Sequence, residues 1–215
     1  MRKSALFFSP HNDDEVLGAG GTLAKLKDEG YSIFVCEVTA GPTFERLKTE
    51  AAGADRVIGT EKRIFLNEKA CCVNRIPAAE LIDRFSGVLK ETEPEIVFLS
   101  HCGDLHSDHR AVTEAAMVAL RPMSAPFVKK IYACETLSET EWSIPRTGSS
   151  FVPDTWSDIS RYLDRKIDAL KCYQSQLKAF PHPRSVEAVR ALAAYRGSTI
   201  GAAAAEAFQT IRSIF

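Results

Sequence analysis

Residues 5–39 read ALFFS, PHNDDE, VLGAGGTLAKLKDEG and YSIFVCEVT in that order, and this stretch decides the fold. Ala5–Ser9 is a short apolar run of the kind shown by a strand buried on both faces. From about Glu15 to Glu29 the pattern is helical, and Gly30 stops it. Ser32–Thr39 is a second apolar strand run. Strand, helix and strand in succession form a βαβ unit, in which the helix carries the chain back so that the two strands lie parallel.

The alternation continues outward. A helix is expected over Phe44–Ile58, a short third strand over Arg63–Leu66, and a helix over Ala78–Glu93. In that helix Leu81, Ile82, Phe85, Val88 and Leu89 share one face, and Pro94 marks the end. Ile96–Ser100 is a fourth strand, a helix follows near Asp108–Leu120, and Val128–Cys134 is a fifth strand. The predicted fold class is α/β, a doubly wound, mostly parallel sheet flanked by helices, in one domain over residues 1–215. Beyond Cys134, residues Glu135–Ser150 read as a surface loop, and helices are expected over Ile159–Leu177 and Val186–Tyr195. Gly201–Ala205 is too short to interpret.

Composition narrows the function classes. Of 215 residues, 45% are apolar and 26% charged, the range of an ordinary globular protein with a sizeable core. Twenty-seven basic against 28 acidic residues leave a net charge of −1, which argues against nucleic acid or an anionic membrane as the main partner. The apolar part of MRKSALFFSPHNDDE is shorter than a signal-peptide core, and no run approaches a membrane span of ~20 residues, so a cytoplasmic location is expected. The six cysteines form no C-x-x-C pair and are expected to be free thiols.

In an open α/β sheet, ligands bind at the carboxyl ends of the strands. Two loops at such ends are rich in metal-binding residue types. One is Ser9-Pro-His-Asn-Asp-Asp-Glu15 after the first strand; the other is His101-Cys-Gly-Asp-Leu-His-Ser-Asp-His-Arg110 after the fourth. If the strand order reverses beside the first strand, these two strands are neighbours and the loops share a crevice. His11 and Asp14 are three apart, as are His106 and His109, a spacing at which one turn aims both side chains at one point. A catalytic zinc takes three such ligands and keeps a position for water. The pair Asp13-Asp14 suits a division of labour in which one carboxylate binds metal and the other accepts a proton. The competing interpretation is that both segments are helix caps, with N-D-D-E and S-D serving the helix dipole.

His11-Asn-Asp-Asp-Glu15 together with His106-Ser-Asp-His109 resembles the paired signature of the PIG-L/LmbE-like zinc-dependent N-deacetylases, H-P-D-D-E and H-x-D-H. Tyr173-Gln-Ser-Gln176, Tyr195-Arg-Gly197 and Ala205-Glu-Ala-Phe208 extend the resemblance in the expected order. It implies an LmbE-like fold, a Zn2+ cofactor (or another divalent metal) held by His11, Asp14 and His109, and Asp13 as general base. It further implies His106 as oxyanion donor or general acid, Asp108 orienting His106 and keeping it charged, and Arg46 contacting the substrate. The implied partner is a small N-acetylated amino sugar or glycoconjugate, and the implied assembly a homo-oligomer, trimeric or hexameric. The implied reaction releases acetate and an amine; an amidase acting on another sugar-linked amide is the alternative.

Two departures stand out: Asn12 replaces the usual proline, and Asn67-Glu-Lys-Ala-Cys-Cys72 replaces an acid-bearing Pro-Asp-Gly turn. A nucleotide-binding enzyme is disfavoured, because acids stand where a glycine-rich phosphate loop would be. Gly18-Ala-Gly-Gly21 instead reads as close helix–sheet packing. A non-catalytic metal module is disfavoured too, because the motifs supply three ligands and a spare acid. His101 reads as a satisfied loop histidine rather than a fourth ligand, and Trp142 and Trp156 as buried or partly buried aromatics rather than sugar-stacking ones. His182, Arg184 and Tyr195 are candidates for the rim of the site.

Overall fold

A computed structural model describes residues 3–40, 44–144 and 150–215. The order of elements is β1 (Ser4–Ser9), α1 (Asp14–Asp28), β2 (Ser32–Ala40), α2 (Phe44–Ile58), β3 (Lys62–Lys69), a 3-10 turn (Val73–Arg75), α3 (Ala78–Thr92), β4 (Ile96–Ser100) and α4 (Ser107–Ala119). There follow β5 (Lys130–Cys134), β6 (Thr155–Asp158), α5 (Leu163–Cys172), α6 (Val186–Ser198) and β7 (Ala205–Ser213). All strands join one sheet in the order β3-β2-β1-β4-β5-β7-β6. The first five strands pair in parallel, and β7 runs antiparallel to both β5 and β6.

The pleat explains why the central strands read as unbroken apolar runs. In β1, Ala5 and Phe7 enter the core shared with α1, α2 and α5, while Leu6 and Phe8 enter the one shared with α3 and α4. Burying a Phe side chain of this kind contributes about 1.5–3 kcal/mol, and with helices on both faces no position in the strand is left for a polar residue. Gly18 of α1 marks the expected close approach to the sheet, and Gly21 a close approach to the turn after β6. A Cβ on Gly18 would sit 2.9 Å from Cys134 Cβ, and one on Gly21 2.8 Å from Ile159 Cδ1. Helix α1 kinks at Ala19, and Glu206 accepts the amides of Gly21 and Thr22 at 2.9 and 2.7 Å.

Three expectations are corrected. The strand expected at Arg63–Leu66 runs over Lys62–Lys69, because the sheet edge accepts its charged residues. The helix expected over Ile159–Leu177 is confined to Leu163–Cys172: Ile159 and Tyr162 form a turn that hydrogen-bonds Ala204, and Tyr173 leaves helical geometry. Strands β6 and β7 carry no clear apolar alternation and were not expected. The described part of the Glu135–Ser150 loop is not simply a surface loop, since Thr136, Ser138 and Glu139 are buried; residues 145–149 lie outside the described residues. All six cysteines are free. Among the described residues no helix is long and apolar enough to cross a membrane.

Candidate metal centre

The strand order reverses between β1 and β4, which pair directly through Ala5–Phe7 and Ile96–Phe98. Their carboxyl-end loops therefore meet at the switch point where open sheets bind ligands. The first loop is pinned from several sides. Ser9 Oγ donates to His11 O at 2.6 Å, Thr39 Oγ1 donates to Pro10 O at 2.8 Å, and the amide of His11 donates to Asp14 Oδ2 at 2.8 Å. Asp13 precedes α1 with a φ of 104°, in the left-handed region, and its side chain makes no capping hydrogen bond. Strain of this kind costs about 1–3 kcal/mol and collects at functional sites. The capping interpretation of N-D-D-E therefore does not describe Asp13.

His11, Asp14 and His109 converge. His109 Nε2 lies 3.3 Å from His11 Nδ1 and 3.2 Å from Asp14 Oδ2, and His11 Nδ1 lies 3.4 Å from the same oxygen. Ligand atoms about 2.0–2.1 Å from a tetrahedral ion stand roughly 3.3–3.4 Å apart, so these three atoms have the spacing of a divalent-metal triad. Asp14 and His109 are fully buried, and Asp14 Oδ1 has no partner among the described residues. Two neutral imidazole nitrogens and a carboxylate oxygen suit zinc.

The far sides of both imidazoles are held by carboxylates. Asp104 Oδ2 meets His109 Nδ1 at 2.8 Å, and Asp108 Oδ2 meets His11 Nε2 at 3.2 Å. Such carboxylate–histidine pairs fix the tautomer that points the other nitrogen at a metal. In the metal-free protein, burial disfavours a charge on either ring. The surrounding carboxylates outweigh it and raise His11 to about 9 and His109 to about 10. Burial likewise works against Asp14, but His109 and His11 hold it well below the usual carboxylate range. Asp108 was expected beside His106 and stands elsewhere. Its carboxylate takes His11 and the amides of Cys71 and Val73 at 2.6 and 3.1 Å, leaving His106 Nδ1 3.9 Å away.

His106 is the N-cap of α4, its Nδ1 accepting from the amide of Asp108 at 3.1 Å. In the neutral ring this acceptor role leaves the proton on Nε2. Burial and the neighbouring His11 lower its pKa to about 4, contrary to the expectation of a charged ring. Asp13 is buried, with Oδ1 unpartnered among the described residues and Oδ2 3.5 Å from Arg184 Nη1. Burial raises the pKa of Asp13 well above the usual value, with Arg184 opposing.

The remaining candidates separate cleanly. Arg184 lines the cleft and donates to Ser138, Gln176 and Glu139 at 2.8, 3.2 and 3.2 Å. Arg46 instead pairs with Glu50 at 3.0 Å on the outer face of α2 and is 58% exposed. His101 is buried against Phe151. Trp142 is 52% exposed, more open than the buried or partly buried ring expected, and its ring meets His182. Sequence reasoning missed Asp104 as the carboxylate behind His109; its place five residues earlier in the same loop was the available signal. The cleft has a volume of about 290 Å3, with His11, His106, Cys71, Gln176 and Arg184 on its walls. Larger cavities beside Arg196 and beside Phe127 contain no histidine.

Comparisons with known proteins identify the family of the chain. Residues 6–120 match the family PIG-L, GlcNAc-PI de-N-acetylase. The chain is 30% identical over 185 residues to the uncharacterized deacetylase YaiS of Escherichia coli K12, covering 81% of this chain and 92% of that one. It is 24% identical over 232 residues to 4-oxalmesaconate hydratase of Pseudomonas putida KT2440, covering 94% and 85%. The crystal structure of the conserved protein TT1542 from Thermus thermophilus superposes with a TM-score of 0.80 at 28% identity, over 98% of this chain and 96% of that one. The chain belongs to the PIG-L family of de-N-acetylases.

Proposed function

We propose that this protein is a zinc-dependent hydrolase that removes the acetyl group from an N-acetylated amino sugar or its conjugate. The observation that carries this reading is the mutual 3.2–3.4 Å spacing of His11 Nδ1, His109 Nε2 and Asp14 Oδ2 beside Asp13 Oδ1, which has no partner among the described residues. When bound by those three residues, a divalent cation supplies a Lewis acid for the amide carbonyl and lowers the pKa of water. Asp13 takes the proton of the attacking water at its free oxygen. Its low-dielectric pocket, which raises its pKa, makes it an effective acceptor and later a donor. Neutral His106 donates from Nε2 to the oxygen of the tetrahedral adduct. Arg184 holds Asp13 Oδ2, so that Oδ1 faces the reaction. As the C–N bond breaks, Asp13 returns its proton to nitrogen, giving acetate and a free amine.

The substrate class rests on the family, whose named member acts on an N-acetylglucosamine conjugate, and on a cleft near the lower end of small-ligand sites (~300–1,000 Å3). The six free thiols fit a reducing cytoplasm. Asp13→Asn is the test. The variant is expected to keep its metal and lose about 10²–10⁴ of the amine-release rate on N-acetylglucosamine-type substrates. An Asp13→Asn protein as active as the parent contradicts the proposal. So does a parent that hydrates its substrate without releasing amine, the outcome the hydratase relative would suggest.

A further inference from the structure

The chain leaving β5 folds back on itself over residues 136–140 and touches both halves of the site. Thr136, Ser138 and Glu139 are buried there, and the turn is closed by its own backbone. The amides of Glu139 and Thr140 donate to Thr136 O at 3.1 and 2.9 Å, and the amide of Thr136 donates to Thr140 Oγ1 at 2.8 Å. The amide of Leu105 donates to Glu139 O at 3.0 Å, which ties the turn to the loop that carries His109. Ser138 is held at a φ of 76°, in the left-handed region that collects at functional sites.

One arm of this turn reaches Asp13. Arg184 donates from Nε to Ser138 Oγ at 2.8 Å and from Nη2 to Glu139 Oε1 at 3.2 Å. Two bonds on a planar fork fix its orientation and leave Nη1 toward Asp13 Oδ2, 3.5 Å away. Freed from Glu139, a guanidinium pairs bidentately with the carboxylate that remains, and Asp13 would then give up Oδ1 as well. The other arm reaches the metal ligands. Thr140 Oγ1 donates to Asp104 Oδ1 at 2.7 Å, so that Oδ2 is the oxygen that meets His109 Nδ1 at 2.8 Å.

We propose that residues 136–140 are a positioning loop shared by both halves of the site: Ser138 and Glu139 hold Arg184 so that Asp13 Oδ1 stays free, and Thr140 holds Asp104 behind His109. Glu139 and Thr140 act through Arg184 and Asp104 and need no contact with substrate. The first arm deepens the deacetylase function proposed above and rests on it; the second rests on the metal centre alone.

Steady-state kinetics and competitive chelator titration with zinc, on Glu139→Gln and Thr140→Val, separate the two arms. Glu139→Gln exchanges a charge-assisted bond for a neutral one. It should lower kcat about tenfold while KM and zinc affinity stay within about twofold. In an Arg184→Met background the same change should lower the rate no further, because it acts through the guanidinium. Thr140→Val should do the reverse, weakening zinc binding about tenfold and lowering the zinc-saturated kcat less than Glu139→Gln does. A merely structural turn would move rate and zinc affinity together in both variants, and that outcome overturns the proposal. So does a Glu139→Gln loss that adds in full to that of Arg184→Met, or a Thr140→Val protein with the parent's zinc affinity. A parent that releases no amine contradicts the proposed function and the first arm together; an active parent matched by both variants overturns the positioning loop alone.

Discussion

Two buried ionic clusters lie side by side beneath the carboxyl ends of the strands, and they are built differently. Around Arg63, which is 4% exposed, all but one of the carboxylate oxygens are paired. The guanidinium meets Glu15, Glu37 and Asp55 at 2.8–2.9 Å and the Tyr173 hydroxyl at 3.1 Å, and that hydroxyl donates to Glu15 at 2.5 Å. Only Glu37 Oε1 lacks a partner among the described residues, and burial moves the pKa of Glu37 up to about 7. Around His11 the groups do not balance. Three ligand atoms face one another, and the Oδ1 atoms of Asp13 and Asp14 have no hydrogen-bond partner among the described residues. The contrast teaches how to separate a tether from a site. A nearly complete network ties α1 to its neighbours; one with facing ligand atoms and two free carboxylate oxygens is what the proposed cation would complete.

Removing the tether gives the largest expected change in stability. Arg63→Leu strands the buried carboxylates of Glu15 and Glu37 and the half-buried one of Asp55, and should cost about 3–5 kcal/mol in urea unfolding of the metal-free protein. A loss below about 1 kcal/mol would show that the network is not structural and would dissolve the comparison.

Acidity sharpens it next. Without metal, His11 and His109 have folded pKa values of about 9 and about 10, both above the ordinary histidine value of 6.5. Their contribution to stability is fully present below pH 6.5 and is lost as the pH rises through 9 to 10. A metal needs both rings neutral, so its binding at pH 7 should expel about two protons, with affinity rising up to about a hundredfold per pH unit. Calorimetry in buffers of different ionisation enthalpy reads this release; no release would contradict it.

A smaller effect comes from the carboxylate behind His109. Asp104→Asn should weaken metal binding about 10–100-fold in a competitive chelator titration while the rate of the metal-saturated enzyme changes less. Unchanged affinity would mean that Asp104 does not orient His109.

The central sheet was legible because strands covered by helices on both faces must be apolar throughout, as Ala5–Phe8 and Ile96–Leu99 are. The meeting of the two loops was legible because a reversal beside β1 makes β4 its neighbour. The C-terminal strands were not, because β7 passes from buried to largely exposed along Ala205–Ser213 and its sequence AEAFQTIRS imposes no single period. Its Glu206 is nevertheless central, pairing with Lys166 at 2.6 Å and accepting the amides released where α1 kinks. The turn of Asp108 away from His106 was equally hidden. It depends on the backbone amides of Cys71 and Val73, which no side-chain motif encodes.

The most direct measurement is anomalous diffraction from crystals grown with one equivalent of zinc. The expected result is a single ion about 2.0–2.1 Å from His11 Nδ1, His109 Nε2 and Asp14 Oδ2, with Asp13 and His106 outside its ligand set. An ion coordinated through His11 Nε2 and Asp108, with His109 unligated, would contradict the account.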